Sequence, residues 1–291
     1  MIDLGRGLVL ANPVGLASGC AGYGFELAQL IDIDRVGALY TKGTTRNARS
    51  GNPPPRVAET TGGMLNSIGL QNPGVEWVRE HYAPQFARWR TAVIVNVAGQ
   101  NADDYVHCVR RLDGVDGVDG IELNISCPNI SGGLDFGRDA TAAAGLVEAV
   151  RVVTEAHLMV KLSPNVTDIA AVAHAVEEAG ADSVSAVNTY VGTKIHSRSA
   201  RPVLPQGIGG LSGPAIHALA VAAVVAVSAA VRIPVVGVGG ITDVDSARDF
   251  LVAGAAAVQV GTASFVDPTT ALRVLDGLSE RARHDGSRVY A

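Results

Sequence analysis

Cysteine is scarce in this chain. The three cysteines, at positions 20, 108 and 127, form no CxxC pair, so neither a zinc ribbon nor a complete iron–sulfur ligand set is available. An odd, sparse count also fits a reducing compartment better than a disulfide scaffold. Aromatic residues make up only 4% of the 291 residues, which leaves Ala, Val, Ile and Leu to build the interior. Basic excess is missing too: the formal charge of −5 offers no footprint for nucleic acid or an anionic membrane. The longest apolar stretch, Ala218 to Val231, is 14 residues and broken by Ser228, short of the roughly 18–20 that span a bilayer. The opening MIDLGRGLVL has no basic n-region and no long apolar h-region, so a secretory signal is not expected. There is no G-x-G-x-x-G, P-loop or Ser-centred nucleophile elbow, and no HxxxH spacing that would suggest a metal site. The expectation is a soluble, cytoplasmic protein.

What is present is core material. Apolar types reach 47% and charged types 18%, with 34 glycines, a balance that argues against disorder. A rhythm repeats eight times: a β-branched run, a polar or glycine-rich loop, then a helical stretch. The runs predict strands at about Val14–Ser18, Ala38–Thr44, Ala92–Ala98, Gly120–Ser126, Leu158–Ser163, Ser183–Thr189, Pro234–Gly239 and Ala257–Thr262. Helices are predicted near 24–33, 75–88, 101–112, 139–156, 168–179, 214–230, 243–252 and 268–281, several with caps such as Asp168 and Asp243. Near-continuous apolar strands imply burial on both faces and a parallel sheet. Eight such units in a chain of this length close into a (β/α)8 TIM barrel, with an open doubly wound sheet as the competing arrangement. No linker divides the chain, so residues 1–291 are read as one barrel domain. Ser50–Pro55 and Thr61–Pro73 read as long loops, which in a compact fold are usually functional.

The polar residues fall at the carboxyl ends of these strands, the face where barrel enzymes keep their active sites. Ser18, the Thr41-Lys42-Gly43 run, Asn96, Asn124 to Cys127, Lys161, Ser163, Asn188, Thr189, Gly239, Gly240, Gly261 and Thr262 all lie there. Either terminal glycine run alone could be a tight corner. Together, on the seventh and eighth strands, they suggest a phosphate site belonging to a substrate or to a cofactor such as FMN. Lys42 and Lys161 lie on strands buried on both sides, where an ammonium is rarely structural, unless it snorkels out at the strand end. Asn66, Asn124 and Asn188 carry both donors and acceptors, suited to a ring with alternating C=O and N–H groups. Beside two lysines they suggest a small polar anion. Cys127 opens a loop on this face and is a candidate reactive thiol; Cys20 and Cys108 have weaker cases.

Several phrases in order resemble class 1 dihydroorotate dehydrogenases from Asn12 to Pro268. They are Asn12-Pro13 with Ala17-Ser18-Gly19-Cys20, Thr41-Lys42-Gly43-Thr44-Thr45, and Gly51-Asn52-Pro53-Pro54-Pro55-Arg56. The run Met64 to Gly74, Glu122-Leu123-Asn124-Ile125-Ser126-Cys127-Pro128-Asn129, Lys161-Leu162-Ser163-Pro164-Asn165 and Gly209-Gly210-Leu211-Ser212-Gly213 complete the set. The Cys-Pro-Asn segment is the most specific. The wording is most similar to the 1B branch, and the segment Thr45 to Ser50 is more polar than the family pattern.

The resemblance implies oxidation of (S)-dihydroorotate to orotate in pyrimidine (UMP) biosynthesis, with FMN as hydride acceptor. It implies FMN held by Ser18, Lys42, Gly43, Asn96, Asn124, Lys161, Val187, Gly213, Gly239, Gly240, Gly261 and Thr262. Dihydroorotate would be held by Lys42, Asn66, Ser67, Ile68, Gly69, Leu70, Asn124, Asn188 and Thr189, and Cys127 would be the catalytic base. A homodimer is implied, extended in the 1B branch to a heterotetramer whose second subunit carries FAD and a [2Fe–2S] cluster and reduces NAD+. The alternatives are a class 1A homodimer reducing fumarate, a flavin-free barrel using Lys161 as a Schiff-base nucleophile, and a barrel kept as a binding module.

Overall fold

The computed structural model describes residues 1–126 and 136–284. Its centre is a closed parallel barrel of eight strands in chain order: β1 (Val14–Leu16), β2 (Ala38–Tyr40), β3 (Ala92–Val97), β4 (Gly120–Asn124), β5 (His157–Lys161), β6 (Ser183–Ala186), β7 (Val235–Val238) and β8 (Ala257–Val260). The TIM barrel expected from the rhythm is the observed fold. Every strand begins within a residue of its predicted start and stops short of its predicted end. The residues beyond those ends leave the ladder and form the mouth; Thr41 to Thr44, for example, keep only a bridge from Thr44 to Val97.

Seven helical segments cover the barrel: α1 (75–86), α2 (Ala102–Leu112), α3 (Ala140–Arg151), α4 (Ile169–Glu178), α5 (His217–Ala230), α6 (Val244–Val252) and α7 (Thr270–His284). Asn101, Asp139, Asp168 and Asp243 each accept a backbone N–H at the start of the following helix. Each satisfies a donor that the first turn leaves without a partner. α1 contains a π-turn, Val78–Tyr82, in which the Ala83 amide reaches the Val78 carbonyl. Pro84 follows with no N–H to continue a regular ladder.

Three expectations are corrected. The helix expected at 24–33 is instead two 3-10 turns, Leu27–Gln29 and Ile33–Arg35. Gly24 has φ +90°, and the Asp32 side chain accepts from Asp34 N to start a fresh turn, so no longer helix forms. The helix expected to reach 156 ends at Arg151. There the Arg151 guanidinium bonds the Thr154 and Ala156 carbonyls and Asp182, drawing the chain into β5. The long loops are also more ordered than expected. Val57–Thr60 and Gly63–Asn66 pair antiparallel with each other, and with Tyr190–Gly192 and Gly209–Ser212, in a four-stranded sheet.

Inside the barrel the side chains alternate with period two. The lower interior is apolar, with Ala38, Tyr40, Ile94, Met159, Val236 and Ala257 packed on Leu4, Leu8 and Leu10 from the N-terminal segment, whose hairpin pairs Ile2–Asp3 with Val9–Leu10. Gly15 leaves room for this layer, since a Cβ there would lie 2.9 Å from the Tyr40 ring. One step up, the interior turns polar: Asn96, Glu122, Ser185 and Gln259 are all fully buried.

His157 anchors the N-terminal segment to the barrel floor, with Nδ1 donating to the Gly5 carbonyl (3.0 Å) and Nε2 accepting from Ser183 Oγ (2.8 Å). Burial, only partly offset by the Gly5 bond, lowers its imidazole from the ordinary range. The unfolded chain therefore binds the extra proton. Stability from the neutral ring is full above about pH 6.5 and falls as pH drops below it. His157→Gln should flatten this part of the melting-temperature profile between pH 8 and 5. A profile identical to that of the unmodified chain would contradict the assignment.

Candidate active site

The described site residues named from sequence lie around the carboxyl mouth of the barrel. At its β2–β3 side, Lys42 is half-buried, with its amide donating to Gly22 O (2.7 Å). Burial and the like charge of Arg56, against the opposing carboxylate of Glu26, lower the Lys42 ammonium below its usual range. Gly43 is a close-approach point: a Cβ would lie 3.2 Å from Asn96 Oδ1 and 3.2 Å from Leu70 Cδ2. Asn96 donates from Nδ2 to Glu122 (2.6 Å), while its buried Oδ1 has no partner among the described residues.

The run Asn66 to Leu70 drops from the antiparallel sheet toward this point. Asn66 Nδ2 donates to Gly210 O (3.3 Å), and Asn52 Nδ2 donates to Ser67 Oγ and Ser67 O (3.0 Å each). Asn52 N donates to Ile68 O (2.9 Å). Leu70 has φ +54°, a left-handed conformation that costs a branched residue energy and needs outside support. Buried Asn72 supplies that support. Its Oδ1 accepts from Thr45 N (3.1 Å) and Gly74 N (2.8 Å), and its Nδ2 donates to Thr45 Oγ1 (2.7 Å) and Leu70 O (2.7 Å). Asn72→Ala should cost about 2–4 kcal/mol in urea unfolding. Because the Leu70 corner loosens, KM should rise about tenfold with little change in kcat. A KM unchanged within about twofold would argue against this role.

Across the mouth, Asn124 Oδ1 accepts from Asn188 Nδ2 (3.1 Å) and Ser126 N (3.2 Å), and the Asn124 carbonyl accepts from Tyr105 OH (2.7 Å). Thr189 packs against Gly210, where a Cβ would lie 2.2 Å from Thr189 Oγ1, and its carbonyl accepts from Asn165 Nδ2 (3.0 Å). Val187 is buried, with its amide on Val238 O (2.9 Å). Lys161 stands beside Asn124 in the β4–β5 register and is 5% exposed. It makes no hydrogen bond or salt bridge among the described residues. Its charge acts on Cys20, whose thiol burial nevertheless pushes up to about 11. Cys20 Sγ lies 3.4 Å from where a Cβ on Gly261 would be. Ser18 is half-buried in the turn from Ala17 to Cys20.

The glycine corners converge. A Cβ on Gly240 would lie 2.8 Å from Gly213 O, one on Gly213 would lie 3.4 Å from Thr262 Cγ2, and one on Gly239 would lie 2.4 Å from Ala220 Cβ. Thr262 Oγ1 donates to Ser212 Oγ (2.8 Å), and His217 bridges Gly239 O (3.2 Å) and Asp249 (3.0 Å). Gly213 thus lies against both Gly240 and Thr262, and Gly239 lies against Ala220 of α5. Glycines at these strand-end corners leave backbone amides bare of side chains, the feature by which barrels commonly hold phosphoryl groups.

Contacts therefore connect the sequence-named residues in two arcs, one through Gly43, Asn96 and Leu70, the other through Asn66, Gly210 and Thr189. Asn188 joins Asn124, and Lys161, Cys20 and Gly261 lead to the glycine corners. Cys127 lies outside the described residues. Sequence reasoning did not single out Glu122, Asn72, Ser185 or Gln259. For Glu122 the available signal was a carboxylate in the middle of an apolar strand. A cavity of about 190 Å³ beside the mouth is walled by Arg46, Arg49, Asn101 and Asp104, and shares only Leu70 with the named site. It coincides with the unusually polar segment after β2.

Asn96 Oδ1, without a partner among the described residues, the Lys161 ammonium and the glycine corners form a donor-and-acceptor set that fits a flavin nucleotide: an acceptor for a ring N–H, a cation for developing negative charge, and backbone amides for a phosphate. Among the described residues only His174, Glu177 and Glu178 could group around an ion, and they lie on α4, where Glu177 already accepts from Arg232 N and Ile233 N. No described helix is long and apolar enough to cross a membrane.

A family profile described as Dihydroorotate dehydrogenase matches residues 6–282. The chain is 48% identical over 286 residues to "Dihydroorotate dehydrogenase B (NAD(+)), catalytic subunit" of Porphyromonas gingivalis, covering 98% of this chain and 93% of that protein. Proteins of the same name from Desulforamulus reducens (48% over 280 residues, 96% and 92% covered) and Malacoplasma penetrans (46% over 276 residues, 94% and 90% covered) are similarly close.

Proposed function

The chain belongs to the dihydroorotate dehydrogenase family, and from that premise we propose that it oxidises (S)-dihydroorotate to orotate with FMN bound at the barrel mouth. The observation that carries the cofactor reading is Asn96, whose buried amide oxygen has no partner among the described residues and lies beside the close-approach point at Gly43. FMN, when bound, supplies the acceptor for the hydride leaving C6. The chain's residues do the rest. Gly213, Gly239, Gly240, Gly261 and Thr262 hold the phosphate. Ser18, Val187 and Asn124 flank the ring, and Lys161 offsets the negative charge that arrives with the hydride.

The substrate carboxylate pairs with Lys42, while Asn66, Asn124 and Asn188 read the alternating carbonyl and N–H edge of the dihydropyrimidine. Ser67 to Leu70 and Thr189 close around it. Cys127, as thiolate, takes the C5 proton. The other two cysteines are poor candidates for that step, because burial pushes Cys20 up to about 11 and Cys108 up to about 12. The names of the relatives support a catalytic subunit that works with a second chain. We take that chain to carry FAD and a [2Fe–2S] cluster and to pass electrons to NAD+, in an assembly built on a homodimer.

An absorption spectrum of the purified chain tests the cofactor reading, and bleaching on anaerobic addition of dihydroorotate tests the reaction. A colourless chain that binds no added FMN would overturn both. NAD+ reduction that requires a co-purifying iron–sulfur protein supports the two-subunit reading, whereas turnover with fumarate by the chain alone would replace it.

A further inference from the structure

We propose that Glu122 is a positioning residue that decides which end of the Asn96 amide faces the ligand, making this wall of the site selective for a ring bearing an N–H donor. The inference rests on the flavin reading above and extends it to a residue that does not touch the cofactor.

Glu122 is fully buried at the centre of the barrel. One carboxylate oxygen, Oε2, accepts from Asn96 Nδ2 (2.6 Å). The other, Oε1, accepts from Ser185 Oγ (2.6 Å) and from Gln259 Nε2 (3.5 Å). Three strands, β3, β6 and β8, thus send donors to one carboxylate on β4. A carboxylate offers only acceptors, so Asn96 can meet it only with its NH2 group. Which amide atom points where is therefore set by chemistry rather than by an arbitrary choice between two similar-looking ends. The amide oxygen is driven the opposite way, toward Gly43, and there it has no partner among the described residues. A buried oxygen held in that state is a site prepared for a donor from outside.

The network makes an asymmetric prediction. In Glu122→Gln one oxygen becomes NH2. Placing the NH2 toward Ser185 and Gln259 asks two groups to turn round, the Ser185 hydroxyl to accept and the Gln259 amide to flip, while placing it toward Asn96 asks only one. The second arrangement forces the Asn96 amide to turn over, presenting N–H where the acceptor had been. Titration of FMN into the cofactor-stripped full chain, read by quenching of flavin fluorescence, should show Kd raised about 30-fold or more. In the double variant Asn96→Asp with Glu122→Gln, the new carboxylate at position 96 accepts from the new amide and turns its second oxygen into the site. Affinity should then return to within about fivefold of the starting value. Packing at position 122 alone would give no such rescue.

A second measurement needs no variant: the unmodified chain should bind FMN about 30-fold or more tighter than 3-methyl-FMN, which lacks the ring N–H donor. Glu122→Gln should shrink that preference. An affinity for FMN within twofold of normal in Glu122→Gln, a double variant no better than the single one, or no preference between the two flavins would each overturn the inference. Failure of the unmodified chain to bind FMN at all would instead remove the cofactor assignment on which it stands. Melting temperatures of the cofactor-free variants separate loss of fold from loss of affinity.

Discussion

Cys127→Ala should yield a folded, yellow protein whose turnover of dihydroorotate is lower by about 10²- to 10⁴-fold, the range expected when a positioned general base is removed. No other thiol can take over. Cys20 is held protonated by burial despite the nearby charge of Lys161, and Cys108 is buried on the core side of α2. In the unmodified enzyme, the rate of flavin reduction should rise with pH as the Cys127 thiol ionises. Its starting point is the ordinary thiol value near 8.5. Cys127→Ser should move that rise to higher pH, since a hydroxyl ionises far less readily. Stopped-flow flavin reduction across pH 6–10 reads both effects. Near-normal rates in Cys127→Ala, or an unmoved profile in Cys127→Ser, would take the base role away from this residue.

Lys161→Met should separate stability from function in opposite directions. The Lys161 residue is 5% exposed and its ammonium makes no hydrogen bond or salt bridge among the described residues, an arrangement that costs desolvation energy in the cofactor-free chain. Replacing it with an apolar side chain of similar length should raise the melting temperature of that form by about 2–6 °C. The same change should slow flavin reduction by about 10²-fold, because a fixed positive charge no longer meets the charge developing on the ring. This is the pattern of a group kept for chemistry at the expense of fold stability. A lower melting temperature in the cofactor-free variant would mean that Lys161 is structural. Normal reduction rates would mean that its charge lies off the reaction path.

Both predictions concern residues that sequence reasoning had already named. Lys161 stood out because a lysine at the end of an apolar strand has no reason to be there unless something anionic meets it. Asn96, Asn124 and the terminal glycines stood out by position, at strand ends where barrel chemistry is built. Glu122 and Asn72 were quoted only as parts of longer motif runs. Their importance depends on partners far away in the chain: Ser185 and Gln259 for one, Thr45 for the other.

The eight strands, the barrel they close and the capped helices from α2 onward could be read from the chain alone. Continuous apolar runs, strand ends and Asp or Asn caps are written in neighbouring residues and act over a few positions. The antiparallel sheet over the mouth could not be read in this way. Gly63–Asn66 and Gly209–Ser212 pair across a long stretch of sequence, and these short glycine-led runs carry no strand pattern of their own. The missing first helix, the left-handed Leu70 held by Asn72 and the direction of the Asn96 amide were likewise decided only in three dimensions. Each depends on which distant donor or acceptor arrives beside it, and that is a property of how the closed barrel brings strands together rather than of any local run of residues.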